Sequence, residues 1–450
     1  MSIRILQLNL KTSKTLEKKN LKSNHENPFQ KELNLLGQAH IPKFVLKIIR
    51  NLRDEGFEAY LVGGCIRDIL TGLKPKDFDI ATAATPEEVR KTFKASRIIG
   101  KRFKLVHVYQ KNTIIEVATF RKDASGDNFD PDLVKDDAGK IIRDNVWGSL
   151  QDDCKRRDFS INAIYYCPLT QKIFDEHNGI KDIANKKIVS IGDPQKRFEE
   201  DPVRSIRAIR FAAKLNFKLD KAVKNAIYDK GMLLQHISNA RMFDEFNKLF
   251  LTGWGEKTFQ KLKNFDLHKY LLSTSKTSTH DRLLNQTFIN TDSRYHADKS
   301  ITPGFLIAAL LWPKLLEKCV KDNSINIRLF FRSMDHVLRE QQKRTAVPRK
   351  FSSYIKDIWY LQLKLSDRFR NNPKKIIKHP RFRAGYDFLL IREIASRDKS
   401  KLGVWWTKFQ KLDSEGQDRM LKQLKSPSVL ESFRKQKPKD KPFGFSEELG

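Results

Sequence analysis

The chain has 450 residues, enough for about three domains and a substantial buried core. Its 87 Lys and Arg outnumber its 54 Asp and Glu, so the formal net charge is +33, which favours a polyanionic partner, nucleic acid before an anionic membrane. The four cysteines show neither metal-type pairs nor the density of a disulfide scaffold, which predicts a cytoplasmic location. The strongly apolar run 305–312 is too short to span a bilayer, so no transmembrane segment is expected.

Residues 1–38 are rich in Lys, Asn and Ser and lack an uninterrupted apolar stretch. This composition predicts a basic, disordered arm and argues against a secretory signal. The run 41–51 then places apolar side chains at helical spacing, with Pro42 near the expected first turn. A helix over this run is expected to lead into the stretch that carries the chemistry.

That stretch is 57–85, which opens with a short apolar strand over 59–62 that ends at Gly63 and Gly64. A helix start follows directly. A glycine pair at a strand-to-helix turn allows backbone N–H groups to approach an anion, and the helix N-terminus adds favourable partial charge. Arg67 is placed to reach the same anion.

About ten residues later, a second expected strand carries Asp77 and Asp79. Residues two apart on a strand share a face, so these carboxylates are paired while Phe78 and Ile80 face the core. Hard oxygen ligands beside a phosphate-binding turn predict a magnesium-bound nucleoside triphosphate. Each motif alone is more often a plain turn or a solvated strand face, but their order and close spacing favour the functional interpretation.

The segments LVGGCIRD and KDFDIAT resemble the signature of the nucleotidyltransferase superfamily, in the branch of bacterial poly(A) polymerases and class II CCA-adding enzymes. This resemblance implies an α+β fold, in which a nucleotidyltransferase head with a mixed sheet is followed by all-helical neck, body and RNA-binding domains. The implied boundaries are 39–180 for the head, 181–260 for the neck, 261–430 for the body and RNA-binding region, and 431–450 for a basic, disordered tail.

Two further strand-like runs, 103–109 and 113–120, are joined as a tight hairpin. The second contains Glu116. A buried carboxylate is costly unless it is paired or bound to a metal, so Glu116 is a candidate third acidic residue; a position on the solvent side of the strand is the alternative. The run IGKRFKLVHV, which ends at Val108, resembles bacterial poly(A) polymerases more than CCA-adding enzymes because of its basic pair and its His107.

The run CKRRDFSINA, residues 154–163, matches the RRDF motif of the family. Adjacent arginines offer bidentate contacts to phosphate or ribose oxygens. The resemblance implies an active-site role for Asp158 and nucleotide contacts for Arg157 and Asn162. A surface Arg–Asp cluster is the structural alternative.

The run EEDPVRSIRAIRF opens a further helix, with Asp201 as its cap and Pro202 at its first position. Arg204 and Arg207 follow at a spacing of three and form a basic stripe. The resemblance implies that Asp201 and Arg204 read the edge of the base and that Arg207 also contacts the nucleotide. Asp201 is able to serve both as a cap and as a base-reading group.

Beyond residue 220 the sequence is almost entirely typical of helices, with arginines and aromatic residues interleaved in three patches. Such interleaving suits single-stranded RNA, because the charges attract the backbone and the rings stack on bases. The patches also resemble the RNA-gripping region of bacterial poly(A) polymerases, which implies RNA contacts for Arg349, Lys350, Arg381 and Arg383. The resemblance of the run IGKRFKLVHV adds Lys101 and Arg102 to the predicted RNA-binding residues.

The resemblance carried by these motifs implies a template-independent poly(A) polymerase that adds AMP from ATP to RNA 3′ ends, releases pyrophosphate and promotes RNA turnover. The expected catalytic residues are Asp77, Asp79, Glu116 and Asp158, with Mg²⁺ or Mn²⁺ on the first two. The expected partners of this monomer are the 3′ ends of mRNA and regulatory RNA, together with RNA-degradation machinery. A CCA-adding enzyme and a non-catalytic RNA-binding protein are the alternatives; the intact motifs argue against the second.

Overall fold

The computed structural model describes residues 29–100, 104–111, 113–122, 133–135, 141–144, 146–273, 279–321, 324–369, 371–396 and 401–424. The chain divides into two compact units, one of residues up to 185 with 189–192, and one of 186–188 with the residues from 193 onward. Lys101, Arg102 and the predicted tail 431–450 lie outside the described residues.

The first unit contains nine described strands and six described helices. The strands are β1 (Ala59–Val62), β2 (Asp79–Thr82), β3 (Ser96–Ile99), β4 (Leu105–Gln110), β5 (Thr113–Thr119), β6 (Leu133–Lys135), β7 (Ile141–Asp144), β8 (Tyr165–Cys167) and β9 (Lys172–Phe174). The helices are α1 (Gln30–Gln38), α2 (Lys43–Asp54), α3 (Gly64–Leu70), α4 (Pro86–Thr92), α5 (Leu150–Arg156) and α6 (Gly179–Ala184).

Seven of these strands form one sheet in the order β3-β4-β5-β2-β1-β8-β9. The β2–β5 pair is parallel and the other pairs of this sheet are antiparallel, which confirms the predicted mixed sheet. The remaining strands, β6 and β7, form a separate hairpin. β2 is the central strand of this sheet and pairs with β5 on one side and β1 on the other.

One sheet face is covered by α2, whose Val45, Ile48, Ile49 and Leu52 are fully buried, as the helical spacing predicts. The predicted arm 1–38 needs a correction at its end, because Gln30–Gln38 is helical and Leu36 is fully buried in the same cluster. Burial of Leu36 offsets the cost of ordering this polar stretch, and average composition does not reveal one such anchor.

The second unit contains helices and four very short strands. Its helices are α7 (Pro194–Glu200), α8 (Val203–Lys214), α9 (Lys221–Lys230), α10 (Asn239–Phe250), α11 (Gly255–Asn264), α12 (His268–Leu271), α13 (Thr279–His296), α14 (Pro303–Cys319), α15 (Ile327–Gln342), α16 (Arg349–Ser366), α17 (Pro373–Ile376), α18 (Phe382–Ser396), α19 (Leu402–Phe409) and α20 (Ser414–Leu424). The strands are β10 (Lys187–Ile188), β11 (Lys218–Leu219), β12 (Val320–Lys321) and β13 (Ser324–Ile325).

Among the described residues of this unit, the β10–β11 and β12–β13 pairs depart from the predicted all-helical structure. Its core is rich in aromatic rings, and Trp312, Trp359 and Trp406 are almost completely buried. The indole N–H groups of Trp359 and Trp406 donate to the carbonyls of Ala308 and Leu365, so both rings are core residues with satisfied polar atoms. Among the described helices, none combines the length and apolar character needed to cross a membrane.

Candidate active site

A row of polar side chains crosses one face of the sheet in the first unit. His107 on β4 lies opposite Glu116 on β5, and the parallel β5–β2 register starts with Ile80 beside Val117. Asp79 precedes Ile80 and Glu116 precedes Val117, so these two acidic residues are neighbours on adjacent strands. Their side chains point to the sheet face opposite the one on which Ile80 is buried. The two carboxylates come together only through strand pairing, since 37 positions separate them in the sequence.

Glu116 is on the solvent side of its strand, with 55% of its side chain exposed. Of the two positions considered from the sequence, buried or solvent-facing, the structure shows the solvent-facing one. It nevertheless stays at the site. Its Oε1 lies 3.5 Å from Nε2 of His107, and that nitrogen is buried with no hydrogen bond recorded among the described residues. The sequence had singled out His107 only through its resemblance, and the cross-strand register gives it a physical position beside a carboxylate.

The carboxylate of Asp79, the first residue of β2, has a pKa raised to about 6. Loss of hydration is the largest cause, and the negative charges of Glu116 and Asp77 add to it, while Arg157 and Arg67 oppose it. The strand itself starts at Asp79, so Asp77 precedes it and does not belong to it as the sequence predicted. Three acidic groups therefore crowd one strand end, an arrangement that a bound cation stabilises.

The donor set fits a divalent ion that completes its coordination with other oxygens. Asp77 is exposed, and Asp79 remains accessible to solvent although the surrounding protein removes part of the hydration of its carboxylate. Carboxylate oxygens are the ligands that Mg²⁺ prefers in proteins. Among the described residues, no three His, Cys, Asp or Glu side chains are arranged to hold a metal by themselves. This open arrangement is the usual one for Mg²⁺, which is bound through one or two carboxylates plus water and substrate phosphates.

Gly63 contributes space to this site. Its φ of +73° is a conformation that side chains disfavour, and its N–H donates to the carbonyl of Ile164, 3.3 Å away. A Cβ at this position would lie 3.4 Å from Nη1 of Arg157 and 3.5 Å from the carbonyl oxygen of Asn162. At Gly64 the added Cβ would be 3.7 Å from Nη2 of Arg67, an ordinary contact. The stricter requirement for glycine is therefore at Gly63.

Arg67 lies in a buried hydrogen-bond network and is only 5% exposed. Its Nη2 donates to Oδ1 of Asp68 at 2.7 Å, and its Nη1 donates to Oδ1 of Asn162 at 2.6 Å. The amide nitrogen of Asn162 donates in turn to Asp158, whose carboxylate also accepts from the backbone N–H of Phe159. The structure thus brings together three predicted site residues and fixes their orientation.

Arg157 belongs to a second network with two residues that the sequence analysis missed. Its Nη2 lies 3.0 Å from Oδ2 of Asp153, its Nε donates to the hydroxyl of Tyr165 at 2.7 Å, and the same hydroxyl donates to Asp153 at 2.6 Å. Burial opposes ionisation of Asp153, but Arg157 and Tyr165 outweigh it and hold its pKa below the ordinary value. Asp153 lies in α5 and Arg157 directly follows its last residue, and this spacing of four positions could have revealed the ion pair.

The predicted base-reading residues lie in the second unit, at the start of α8. Asp201 accepts from the N–H of Val203 and pairs with Arg241 at 2.7 Å, and Arg241 is another residue that sequence reasoning missed. Arg204 lies 3.4 Å from Glu200, while the guanidinium of Arg207 packs over a phenylalanine ring. The helix starts after Pro202, one position later than expected.

The predicted RNA-binding residues of the second unit are exposed. Arg349 and Lys350 open α16, and Arg381 packs over the ring of Tyr354 at 5.0 Å. Arg383 pairs with Asp387 at 3.0 Å. Lys101 and Arg102 lie outside the described residues, so their predicted role remains an expectation from the sequence.

Three family models match the chain and together span more than half of it. Residues 59–189 match the poly A polymerase head domain. Residues 216–276 match the "Probable RNA and SrmB- binding site of polymerase A", and residues 325–441 match the polymerase A arginine-rich C-terminus. The head model contains both buried networks and the acidic strand end.

The chain is 38% identical to poly(A) polymerase I of Escherichia coli O6:H1 over 408 residues, 88% of each protein. It is 39% identical to the CCA-adding enzyme of a Geobacillus species over 226 residues, 50% of this chain and 54% of that enzyme. A solved "tRNA-processing enzyme (apo form 2)" shares the fold, with a TM-score of 0.58 and 19% identity, covering 84% of this chain and 100% of that one. The predicted fold class is thereby confirmed. The chain belongs to the poly(A) polymerase family of nucleotidyltransferases.

Proposed function

We propose that this protein is a template-independent poly(A) polymerase that adds AMP from ATP to RNA 3′ ends. The extent of the similarity carries this proposal. The CCA-adding relative matches about half of the chain, whereas poly(A) polymerase I matches 88% at nearly the same identity. The C-terminal arginine-rich region therefore takes part in the similarity to the poly(A) polymerase.

The acidic strand end supplies the reaction centre. Asp77 and Asp79 would hold a divalent ion, which would supply positive charge to activate the attacking 3′-hydroxyl and to neutralise the triphosphate. Asp79 must be ionised to hold this ion. Loss of hydration is the main cause of the raised pKa of Asp79, and the added negative charge of Glu116 makes cation binding favourable. Glu116 adds negative charge from the neighbouring strand, and His107 lies against it.

The two buried networks give this centre a fixed wall. Arg67 and Arg157 supply positive charge for the triphosphate, and their buried partners hold each guanidinium in one orientation. Gly63 leaves the wall free of a side chain. Asp158 and Asn162 connect the networks to the turn after α5, and we assign them a role in positioning the sugar and phosphates.

Base recognition is assigned to Asp201 and Arg204. Adenine presents an amino donor beside a ring acceptor, which suits a carboxylate and a guanidinium. Guanine and uracil reverse that order, so the pair disfavours GTP and UTP. Cytosine has the same order as adenine, and this pair alone does not separate ATP from CTP. Arg241 orients Asp201 through their 2.7 Å contact.

Extension of an unstructured RNA primer with each nucleoside triphosphate in turn tests this proposal. Long tails with ATP alone are the expected result. Addition of CTP to a tRNA that lacks its 3′ terminus, ending after three nucleotides when ATP is also present, would identify a CCA-adding enzyme instead. The proposed natural substrates are 3′ ends of mRNA and regulatory RNA in the cytoplasm, where tail addition prepares RNA for degradation machinery.

A further inference from the structure

The second unit contains a cavity of about 210 Å³ formed by residues of α13, α14, α16 and α18 and of the segments before α14 and α18. We call it the arginine cavity, because Arg294, Arg381 and Arg383 line it together with Tyr354 and Asp387. These side chains come from positions spread over more than ninety residues. The cavity is therefore a product of the tertiary fold.

The charge of the arginine cavity is positive. Three guanidinium groups line it against the single carboxylate of Asp387. That carboxylate lies 3.0 Å from Nε of Arg383 and 3.7 Å from Nη1 of Arg294, so it orients two of the three groups. Arg294 also donates to the carbonyl of Ser300 at 3.0 Å. The cavity retains an excess of two positive charges in an oriented frame, which suits a phosphodiester backbone.

The cavity also offers a flat surface for stacking. The guanidinium carbon of Arg381 lies 5.0 Å from the centre of the Tyr354 ring, and both residues line the cavity. A Cβ at Gly304 would lie 2.8 Å from Cδ1 of Tyr354, so the ring packs closely against α14. Aromatic rings and arginine planes are the surfaces on which proteins stack unpaired bases.

The volume limits the ligand. About 210 Å³ lies below the roughly 300 Å³ at which ordinary small-molecule pockets begin. The cavity is thus suited to one base and too small for a whole nucleoside triphosphate. Its charge and its stacking surface both favour a nucleotide over an apolar ligand.

We propose that the arginine cavity binds one unpaired nucleotide of the RNA, with the base inside and the adjoining phosphates on Arg381 and Arg383. This inference rests on the proposed function, because it takes RNA as the substrate. It deepens that function by assigning a base-binding subsite to the arginine-rich region. The affinity for RNA then has a contribution from an inserted base in addition to the charge of the chain.

A pair of variants separates the two contributions. Ala384→Leu places a larger apolar side chain in the wall of the cavity and leaves the charge unchanged. Arg381→Ala removes a charge and half of the stacking surface. Arg328→Ala is the matched control, since Arg328 is an exposed arginine of the same unit that is not among the cavity residues. Circular dichroism and the thermal unfolding midpoint verify that each variant is folded.

Binding is measured with a labelled single-stranded RNA, and with the same RNA carrying abasic residues, at several salt concentrations. Ala384→Leu should raise the Kd for intact RNA about tenfold, the effect of losing one stacked base, with an unchanged salt slope. It should leave the Kd for abasic RNA as in the parent. Arg381→Ala should raise both Kd values and flatten the slope by about 0.7. Arg328→Ala should keep the preference for intact over abasic RNA.

Parent-like binding of intact RNA by folded Ala384→Leu overturns the inference, as does an equal effect of Arg381→Ala and Arg328→Ala. If Ala384→Leu does not fold, loss of the preference for intact RNA in Arg381→Ala supports the inference and its retention overturns it. Failure of the proposed function gives a different result: the parent does not extend RNA with ATP, while its binding still depends on the cavity.

Discussion

The acidic strand end of the first unit and the arginine cavity of the second unit use charge in different ways. Around the strand end, Arg67 and Arg157 are held by buried partners, and each guanidinium has a fixed orientation. Around the cavity, Arg381 and Arg383 are exposed and contact a ring and a half-buried carboxylate. Fixed charges suit a reaction centre, which needs preorganised groups, and exposed charges suit an RNA chain that must be bound and released.

The largest effect is expected at the strand end. Asp79→Asn removes an anionic ligand while it keeps the shape of the side chain, so the rate of AMP addition should fall by at least about 10²-fold. Asp54→Asn is the matched control, because Asp54 is an exposed aspartate of the same unit at the end of α2. Turnover of Asp79→Asn close to that of the parent in Mg²⁺ would remove Asp79 from the reaction centre.

The next effect concerns how much the Arg157–Asp153–Tyr165 network stabilises the first unit. Asp153→Asn removes the carboxylate that pairs with the half-buried guanidinium of Arg157, which should lower the free energy of unfolding by about 2 kcal/mol. Its neighbour Asp152 is half-buried and caps the same helix through Ser149, and Asp152→Asn should cost less than about 1 kcal/mol. Chemical denaturation of both variants measures the difference. Equal losses would show that the Arg157 network does not stabilise the unit.

A pH dependence follows from the loss of hydration and the neighbouring negative charges at Asp79. An unfolded chain ionises this carboxyl near the ordinary pKa of 3.8, and the folded chain does so near 6. The folded state therefore binds the proton more tightly, and the free energy of unfolding falls as the pH rises from about 4 to about 6. Without metal, Asp79→Asn should unfold at a higher temperature than the parent at pH 7, and the difference should vanish near pH 4.

Divalent metal provides the control for that prediction. Mg²⁺ should raise the unfolding temperature of the parent at pH 7 by binding the folded state, and it should act much less on Asp79→Asn. An Asp79→Asn protein that is less stable than the metal-free parent at pH 7 would contradict the raised pKa of Asp79.

The smallest effect is expected at the exposed arginines. Arg383→Ala breaks an ion pair whose arginine side chain is 72% exposed, so the free energy of unfolding should change by less than about 1 kcal/mol. The variant should nevertheless flatten the salt dependence of RNA binding by about 0.7. A large loss of stability with an unchanged salt slope would make Arg383 a structural residue and would erase the contrast between the two regions.

The local sequence was sufficient for the elements that follow short-range rules. β1 has the predicted bounds, and in β2 Ile80 packs into the core while the preceding Asp79 remains accessible to solvent, because alternation along a strand is a local property. The family likewise followed from short motifs. The helix Gln30–Gln38 did not, since its order depends on a cluster built by distant strands and helices.

Only the tertiary structure decided which side chains meet. Strand pairing places Glu116 beside Asp79, and the turn after α5 brings Asn162 to Arg67, which lies 95 positions away. The arginine cavity joins residues from four helices in the same way. A sequence shows the chemical type and local spacing of each residue, whereas contacts between distant residues depend on the packing of the whole core. That is the physical reason why the sequence by itself determined the family and the acidic pair, and the fold decided the networks and the cavity.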